Sequence, residues 1–141
     1  MPRNKRIPMR KIVIDLDGTL TQLGFDDYET VPPRPDVVER LISYKKAGFQ
    51  IVIHSARNMR RFSGNVGKIN IHTLPTILNW LSKHGVPYDE VIVGKPWCGT
   101  EGFYVDDRAI RPSEFANLSY EEITAILSAE EEKSWRNLTR H

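Results

Sequence analysis

The sequence predicts an α/β fold in which helices cover both faces of a parallel sheet, giving three layers. Short runs rich in Ile and Val, at residues 12–14, 51–53 and 91–93, are typical of buried parallel strands. Stretches with helical periodicity separate these runs, so strands and helices alternate along the chain. The carboxyl ends of such strands share one edge of the sheet, where folds of this class bind their ligands.

The first half of the chain contains two predicted strands with a helix between them. Polar residues 21–33 follow the first strand and predict a loop or a small hairpin. Pro35, with Asp36 beside it, begins the helix, and Gly48 ends it. Residues 49–54 then predict the second strand, with an apolar centre.

The second half of the chain begins with a long polar loop, predicted at residues 55–70. Thr73 is expected to cap a helix that Gly85 ends. Ser119 and Glu122 form a capping box for the last helix. Two further strands are predicted, at residues 91–93 and 103–105.

Length and composition predict one domain with two tails. With 141 residues, 40% of them hydrophobic, the chain is long enough to bury a single core. We expect a basic flexible tail at residues 1–9, one domain at residues 10–133 and a second tail at residues 134–141. Five of the 20 lysines and arginines lie in residues 1–11, which leaves 15 cations against 18 acids, or −3, in the remainder. The cationic excess therefore belongs to the tail.

Several classes of protein are excluded by the residues present. A single cysteine, Cys98, allows no intramolecular disulfide and is typical of a reducing compartment. No apolar run is long enough for a membrane span, so a cytoplasmic location is expected. One cysteine with four scattered histidines gives no zinc pattern. The sequence has no basic helix, which argues against a nucleic-acid partner.

Two carboxylates directly follow the first strand. Asp15 and Asp17 are separated by one residue, and Gly18 and Thr19 come next. Acids this close together repel each other unless a cation or a proton separates them. Magnesium prefers oxygen ligands of this kind. The motif therefore favours a magnesium site over an ordinary Asp-Gly turn.

Side chains with useful chemistry also follow the other predicted strands. Ser55 follows the second strand, Lys95 the third, and Asp106 with Asp107 the fourth. Each of these residues, considered alone, is more typical of an ordinary loop or turn. Their occurrence at consecutive strand ends predicts that they converge with Asp15, because parallel strands share their carboxyl edge.

This order of motifs resembles the haloacid dehalogenase superfamily of aspartyl phosphotransferases. Residues 15–21 (DLDGTLT) are similar to its first motif, and Ser55, Lys95 and the Asp106-Asp107 pair to the next three. Further stretches resemble the superfamily's small capsule-biosynthesis phosphatase group, namely residues 55–59, 94–99 and 102–112. The resemblance implies a Rossmann-like core, and the gaps between motifs are too short to hold a cap domain.

The resemblance implies a phosphohydrolase that acts through an aspartyl-phosphate intermediate. Asp15 would be the nucleophile. Asp17 would be the general acid that protonates the leaving oxygen and later activates water. Ser55 would donate a hydrogen bond to a phosphoryl oxygen, and Lys95 would neutralise the transferring group and hold Asp15.

Magnesium is the cofactor that the resemblance implies. Its ligands would be Asp15, the main-chain carbonyl of Asp17, and Asp106 or Asp107. Asp106, at the end of the predicted strand, is the preferred direct ligand, and Asp107 would support Lys95 or a metal-bound water. The sequence leaves the choice between these two acids open.

Four residues are expected to bind the substrate, namely Thr19, Arg57, Asn58 and Trp97. Thr19 would also orient the loop that carries Asp17. Two roles are open for Arg57, which would either bind an anionic group or form a salt bridge inside the fold. Trp97 would either stack on a sugar or a base, or pack as an aromatic plug.

The predicted substrate is a phosphorylated sugar or glycan intermediate of capsule or surface-polysaccharide biosynthesis. A site without a cap would admit a large substrate, unless a second subunit of a homo-oligomer closes it. A protein or nucleotide phosphatase of the same fold is the nearest alternative, since a capless site also suits those substrates. A non-catalytic phosphosugar-binding or scaffold protein is a further alternative, although it would have no use for a general acid.

Overall fold

A computed structural model describes residues 9–139 of the chain, with side chains described for residues 9–136. The basic tail predicted at residues 1–9 therefore lies outside the described residues, apart from Met9. The chain divides into two compact units, Met1–Trp97 and Cys98–His141. The strands are β1 (Lys11–Ile14), β2 (Gln50–Ser55) and β3 (Glu90–Val93). The helices are α1 (Pro35–Lys46), α2 (Val66–His72), α3 (Leu74–Lys83), α4 (Pro112–Asn117) and α5 (Tyr120–Thr139).

The first unit has an α/β fold with a parallel sheet, as the sequence predicts. Both β1 and β3 pair with β2 in parallel, so the sheet order is β1-β2-β3. The central strand is enclosed on both faces, because Ile51, Val52 and Ile53 are all buried although successive side chains point to opposite faces. A strand buried on both faces has a continuous apolar sequence, and this is why the pattern located it.

The prediction of a fourth strand at residues 103–105 is wrong, because the segment has no strand structure. Its side chains are not those of a buried strand, since Phe103 is 78% exposed and Val105 is 86% exposed. A three-residue apolar run is compatible with a strand, but a strand also needs a partner for its backbone. The sequence pattern contains no information about that partner.

The polar loop predicted at residues 55–70 is also partly wrong, because α2 begins within it. Asn65 caps this helix, and its side-chain oxygen accepts a hydrogen bond from the amide of Lys68 at 3.1 Å. Ile69 is the buried side chain of α2. A helix of seven residues with one buried position has too few apolar residues to show a helical period.

The helix termini agree with their sequence signals except at Thr73. Pro35 begins α1, and Gly48 follows its end with a φ of 98°. Ser119 and Glu122 form the predicted capping box, with bonds of 2.9 and 3.1 Å. Thr73 precedes α3 as expected, but its side chain makes no capping hydrogen bond. α5 continues past residue 133 to Thr139, and no described helix is both long and apolar enough to cross a membrane.

A buried tryptophan joins α3 to the loop at residues 21–33. The indole of Trp80 on α3 is 2% exposed, and its Nε1 donates a hydrogen bond to the carbonyl of Val31 at 2.7 Å. A single antiparallel bridge between Thr21 and Pro33 closes the same loop at its base. The loop is therefore held both at its base and through its contact with α3.

Candidate active site

The segment that follows β1 is a tight loop built around one main-chain carbonyl. The side chain of Leu16 is fully buried, and its carbonyl accepts three amide hydrogen bonds. Their donors are the amides of Thr19, Leu20 and Thr21, at 3.3, 2.9 and 3.1 Å. Gly18 has a φ of 78°, which residues with side chains rarely adopt, so the loop needs glycine here. The loop places Asp15 and Asp17 directly beyond the carboxyl end of β1.

Asp15 has a hydroxyl and an ammonium group as side-chain partners. Thr19 Oγ1 donates a hydrogen bond to Asp15 Oδ2 at 3.2 Å, and Lys95 Nζ lies 3.5 Å from Asp15 Oδ1. Burial raises the pKa of Asp15 above its usual range, although the Lys95 cation, the Leu16 amide and the Thr19 hydroxyl lower it, and Asp17 raises it further. The carboxylate is thus partly removed from water while a cation stays beside it.

Lys95 belongs to the segment after β3, and main-chain pairing fixes it near the end of β2. Its amide donates a hydrogen bond to the carbonyl of Ser55 at 3.1 Å. Lys95 and Asp15, predicted from separate strand ends to act together, are therefore in contact in the structure.

His54 is a neighbour of this pair to which the motifs assign no role. Burial, followed by the Lys95 cation, lowers the pKa of His54, and Asp15 opposes the shift. Its position directly before Ser55 in the sequence indicates a place in the pocket, and the strand register agrees. Ile14 pairs with Ile53, and Asp15 and His54 are the next residues along the two strands.

Ser55 is 1% exposed and supports the turn that leaves β2. Its Oγ accepts a hydrogen bond from the amide of Arg57 at 3.1 Å. This turn directs the Arg57 side chain towards Asp17, in the tight loop that directly follows β1. The predicted hydrogen bond from Ser55 to a phosphoryl oxygen stays a prediction.

Asp17 forms a forked ion pair with Arg57. Arg57 Nε donates to Asp17 Oδ2 at 3.1 Å, and Arg57 Nη2 donates to Asp17 Oδ1 at 2.7 Å. The arginine side chain is 1% exposed, whereas that of Asp17 is 39% exposed. The ring of Tyr28 covers the guanidinium, with its centroid 4.0 Å from Arg57 Cζ. Of the two roles open for Arg57, the structure shows the internal salt bridge.

Asn58 and Trp97, two of the predicted substrate-binding residues, have structural partners. Asn58 adopts a φ of 62°, and its Nδ2 donates a hydrogen bond to the buried Thr73 Oγ1 at 2.7 Å. Trp97 is 45% exposed, with the Arg60 guanidinium 5.9 Å from its ring centroid. Substrate binding by these two residues and by Thr19 stays a prediction. The contacts of Tyr28 and Thr73 were not predicted, because the sequence indicates Thr73 only as a helix cap and a tyrosine in a polar loop carries no motif.

The predicted metal ligands Asp106 and Asp107 belong to the second unit. Asp106 Oδ1 accepts a hydrogen bond from the amide of Arg108 at 2.8 Å, which forms a tight turn. Asp107 lines a cavity of about 280 Å³ in this unit. Its other lining residues are Arg108, Leu127, Glu131, Ser134 and Trp135. Within the described residues, no three His, Cys, Asp or Glu side chains form a group that could hold a metal.

Comparison with solved structures gives a strong match, to a protein of Vibrio cholerae. No family model and no curated protein matches the chain. Two matches to chains of the Pnkp1/Rnl/Hen1 RNA repair complex are weak, with TM-scores of 0.45 and identities of 26% and 23%. They cover 64% and 70% of this chain but 27% and 31% of those chains. The crystal structure of an MCSG target from Vibrio cholerae matches with 62% identity and a TM-score of 0.85, over 86% of this chain and 99% of that one. The chain therefore belongs to the same protein family as this Vibrio cholerae protein.

Proposed function

We propose that the protein is a phosphohydrolase of the haloacid dehalogenase type, which uses Asp15 as a covalent nucleophile. The observation that carries the proposal is the contact of Asp15 with Lys95 and Thr19 at the carboxyl end of β1. A carboxylate attacks a phosphate dianion only if a nearby positive charge offsets their repulsion. Lys95 supplies such a charge 3.5 Å from the attacking carboxylate.

The reaction has two balanced steps. An Asp15 oxygen attacks phosphorus, the bond from phosphorus to the leaving oxygen breaks, and Asp17 gives its proton to that oxygen. Water then attacks the aspartyl-phosphate, Asp17 takes a proton from that water, and inorganic phosphate leaves with Asp15 regenerated. The position of Asp17, two residues from Asp15 in the same tight loop, supports this division of roles.

The finer fold assignment is part of the proposal. A three-layer, Rossmann-like core without a cap is supported by the parallel β1-β2-β3 order. It is also supported by the short connections, since α1 lies between the first two strands and α2 with α3 between the next two. Neither connection contains an additional folded module that would serve as a cap.

Magnesium is the cofactor we propose, and the chemistry of the donors fits it. The Asp15 carboxylate and the main-chain carbonyl of Asp17 are hard oxygen donors, and the sequence motifs add Asp106 or Asp107. When bound, the ion would offset the negative charge shared by the nucleophile and the phosphate.

The substrate class that we propose is a phosphorylated sugar or glycan intermediate of surface-polysaccharide biosynthesis. Its support is the resemblance of residues 55–59, 94–99 and 102–112 to the capsule-biosynthesis phosphatase group. A protein or nucleotide phosphatase is the competing assignment, because a site without a cap suits those substrates equally.

The test is phosphate release from sugar phosphates, nucleotides and phosphopeptides, with and without Mg²⁺. The blank is Asp15→Asn, and the matched control is Asp26→Asn, which changes an exposed acid of the neighbouring loop. We expect magnesium-dependent release by the unaltered protein and by the control, and none by the blank. The preferred substrate then decides between sugar, nucleotide and protein. Equal release by the blank and the unaltered protein would contradict the proposal.

A further inference from the structure

Among the residues that the structure describes, Arg57 is the one charged residue that is buried. A buried cation costs stability unless it is paired and hydrogen-bonded. Its partner Asp17 is far less buried, with 39% of its side chain exposed against 1% for the arginine. The cation is therefore the fixed member of the pair, and it holds an acid that is accessible to solvent.

We propose that Arg57 is a positioning residue that fixes the carboxylate of Asp17 for proton transfer, an inference that rests on the proposed function. Two parallel N–H donors, Nε and Nη2, reach one carboxylate oxygen each, so they restrict rotation of the carboxylate. A lysine ammonium would attract the same carboxylate but would not set its plane.

The surroundings of Arg57 support this role and disfavour direct binding of a phosphate or a sugar. The Tyr28 ring covers one face of the guanidinium, and the Ser55 hydroxyl fixes the arginine backbone. A substrate group would reach the guanidinium only after Tyr28 or Asp17 had moved. The guanidinium thus acts on the reaction through Asp17.

One atom shows that this arrangement is costly to the fold. Arg57 Nη1 is buried without a hydrogen-bond partner within the described structure. A buried unpaired donor destabilises a protein, and such exceptions require an explanation. The orientation that leaves Nη1 unpaired is the one that allows Nε and Nη2 to reach Asp17 together.

The leaving group provides the diagnostic measurement. An alkoxide leaving group, as from a sugar phosphate or glycerol phosphate, needs a proton from Asp17 as its bond to phosphorus breaks. The p-nitrophenolate ion is stable without that proton, so its departure depends little on a general acid. Loss of Asp17 positioning should therefore slow formation of the aspartyl-phosphate from an alkyl phosphate much more than its formation from p-nitrophenyl phosphate.

The experiment compares kcat and KM for glycerol phosphate and p-nitrophenyl phosphate in Arg57→Lys and Arg57→Gln. We expect kcat/KM for glycerol phosphate to fall about tenfold more than kcat/KM for p-nitrophenyl phosphate, because this ratio covers departure of the leaving group and not hydrolysis of the shared aspartyl-phosphate, in which Asp17 also acts. The matched control is Arg61→Gln, which changes an exposed arginine of the same segment. Adding Arg57→Gln to Asp17→Asn should cause no further selective loss, because the two residues act as one unit.

The possible results separate this inference from the function on which it rests. A rise in KM with unchanged kcat would assign Arg57 to substrate binding and overturn the inference. Equal losses of kcat/KM on both substrates would indicate a purely structural role and also overturn it. If Arg57→Gln does not fold, Arg57→Lys and Tyr28→Leu give the same comparison. The first keeps a cation beside Asp17, and the second keeps Arg57 but removes the ring that covers it. Absence of turnover by the unaltered protein would overturn the proposed function, and the inference with it.

Discussion

At the scale of single residues, Asp15 combines a proposed catalytic role with an unfavourable position for a charge. Burial raises its pKa, so its ionised form is less stable in the folded protein than in the unfolded chain. A carboxyl group with a raised pKa in the folded state contributes stability at low pH. That contribution is lost as the pH rises through the folded-state pKa. The reaction thus needs the form of Asp15 that folding destabilises.

This conflict predicts that Asp15→Asn stabilises the folded protein while it removes turnover. Asparagine keeps the shape of the side chain without its charge, so the urea midpoint should exceed that of the unaltered protein at pH 7. The difference should shrink at pH 3, where the carboxyl group is protonated in both states. Asp26→Asn, at an exposed position, should show no comparable gain. A lower midpoint for Asp15→Asn at pH 7 would show that its pairing with Lys95 outweighs its burial.

The site residues differ in how far sequence alone predicts them. Asp15 and Lys95 were expected to meet, because each follows a recognisable strand, and their contact is confirmed. The pairing of Asp17 with Arg57 joins residues 40 positions apart. The sequence left it as one of two roles, since a motif does not show where a long side chain points. Tyr28 was missed because stacking on a guanidinium leaves no sequence pattern.

At the scale of elements, Asp89 attaches the start of β3 to its neighbours. Its carboxylate accepts hydrogen bonds from Lys45 Nζ at 2.7 and 2.8 Å and from the Ile51 amide at 2.8 Å. The Lys45 hydrogen bond, followed by the Ile51 amide, lowers the pKa of Asp89. A lowered pKa in the folded state means stability that is present above the unfolded-state pKa and is lost as the pH falls through the folded-state pKa.

We therefore expect Asp89→Asn to lower the urea midpoint at pH 7, since the ion pair is lost and the Ile51 amide has a weaker acceptor. The deficit should diminish as the pH falls below 3.8, the usual pKa of the carboxyl group. Urea titrations at pH 7 and pH 3 measure both effects. A deficit of the same size at both values would exclude the ionised carboxylate as its cause.

Trp80 provides a second test at this scale, because it joins α3 to the loop after β1. In Trp80→Phe the buried carbonyl of Val31 loses the indole donor, at an expected cost of about 1–3 kcal/mol in the free energy of unfolding. Urea denaturation measures this cost. The control, Trp135→Phe, changes a side chain that is 63% exposed and should have little effect. Equal effects of the two changes would show that the hydrogen bond to Val31 is not the cause.

Elements with strong local signals were the ones that sequence predicted correctly. The apolar run of β2 and the capping box at Ser119 each specify a structure through neighbouring residues. α2 was missed because a short polar helix depends on its cap at Asn65 and one buried position. The error at residues 103–105 has the opposite origin, since an apolar run was present without strand pairing.

At the scale of the whole molecule, buried apolar surface is distributed unevenly between the two compact units. Among the described residues, all buried apolar side chains except Ile123 belong to the unit Met1–Trp97. Apolar burial is the main stabilising contribution to a fold. The unit Cys98–His141 should therefore open at a lower free-energy cost than the sheet does.

Native-state hydrogen exchange measures this difference directly. The amides of β2 should be the most protected, and those of α4 and α5 should exchange sooner, through opening that leaves β2 protected. Because Asp106 and Asp107 lie in the less stable unit, the proposed magnesium binding should slow exchange at residues 106–108, since a ligand that binds the folded state stabilises it. Calcium-free buffers with and without Mg²⁺ give the comparison, and Asp106→Asn with Asp107→Asn should remove the effect. Uniform protection of both units would show that they open together. If Mg²⁺ does not change exchange near Asp106, that region does not bind the metal.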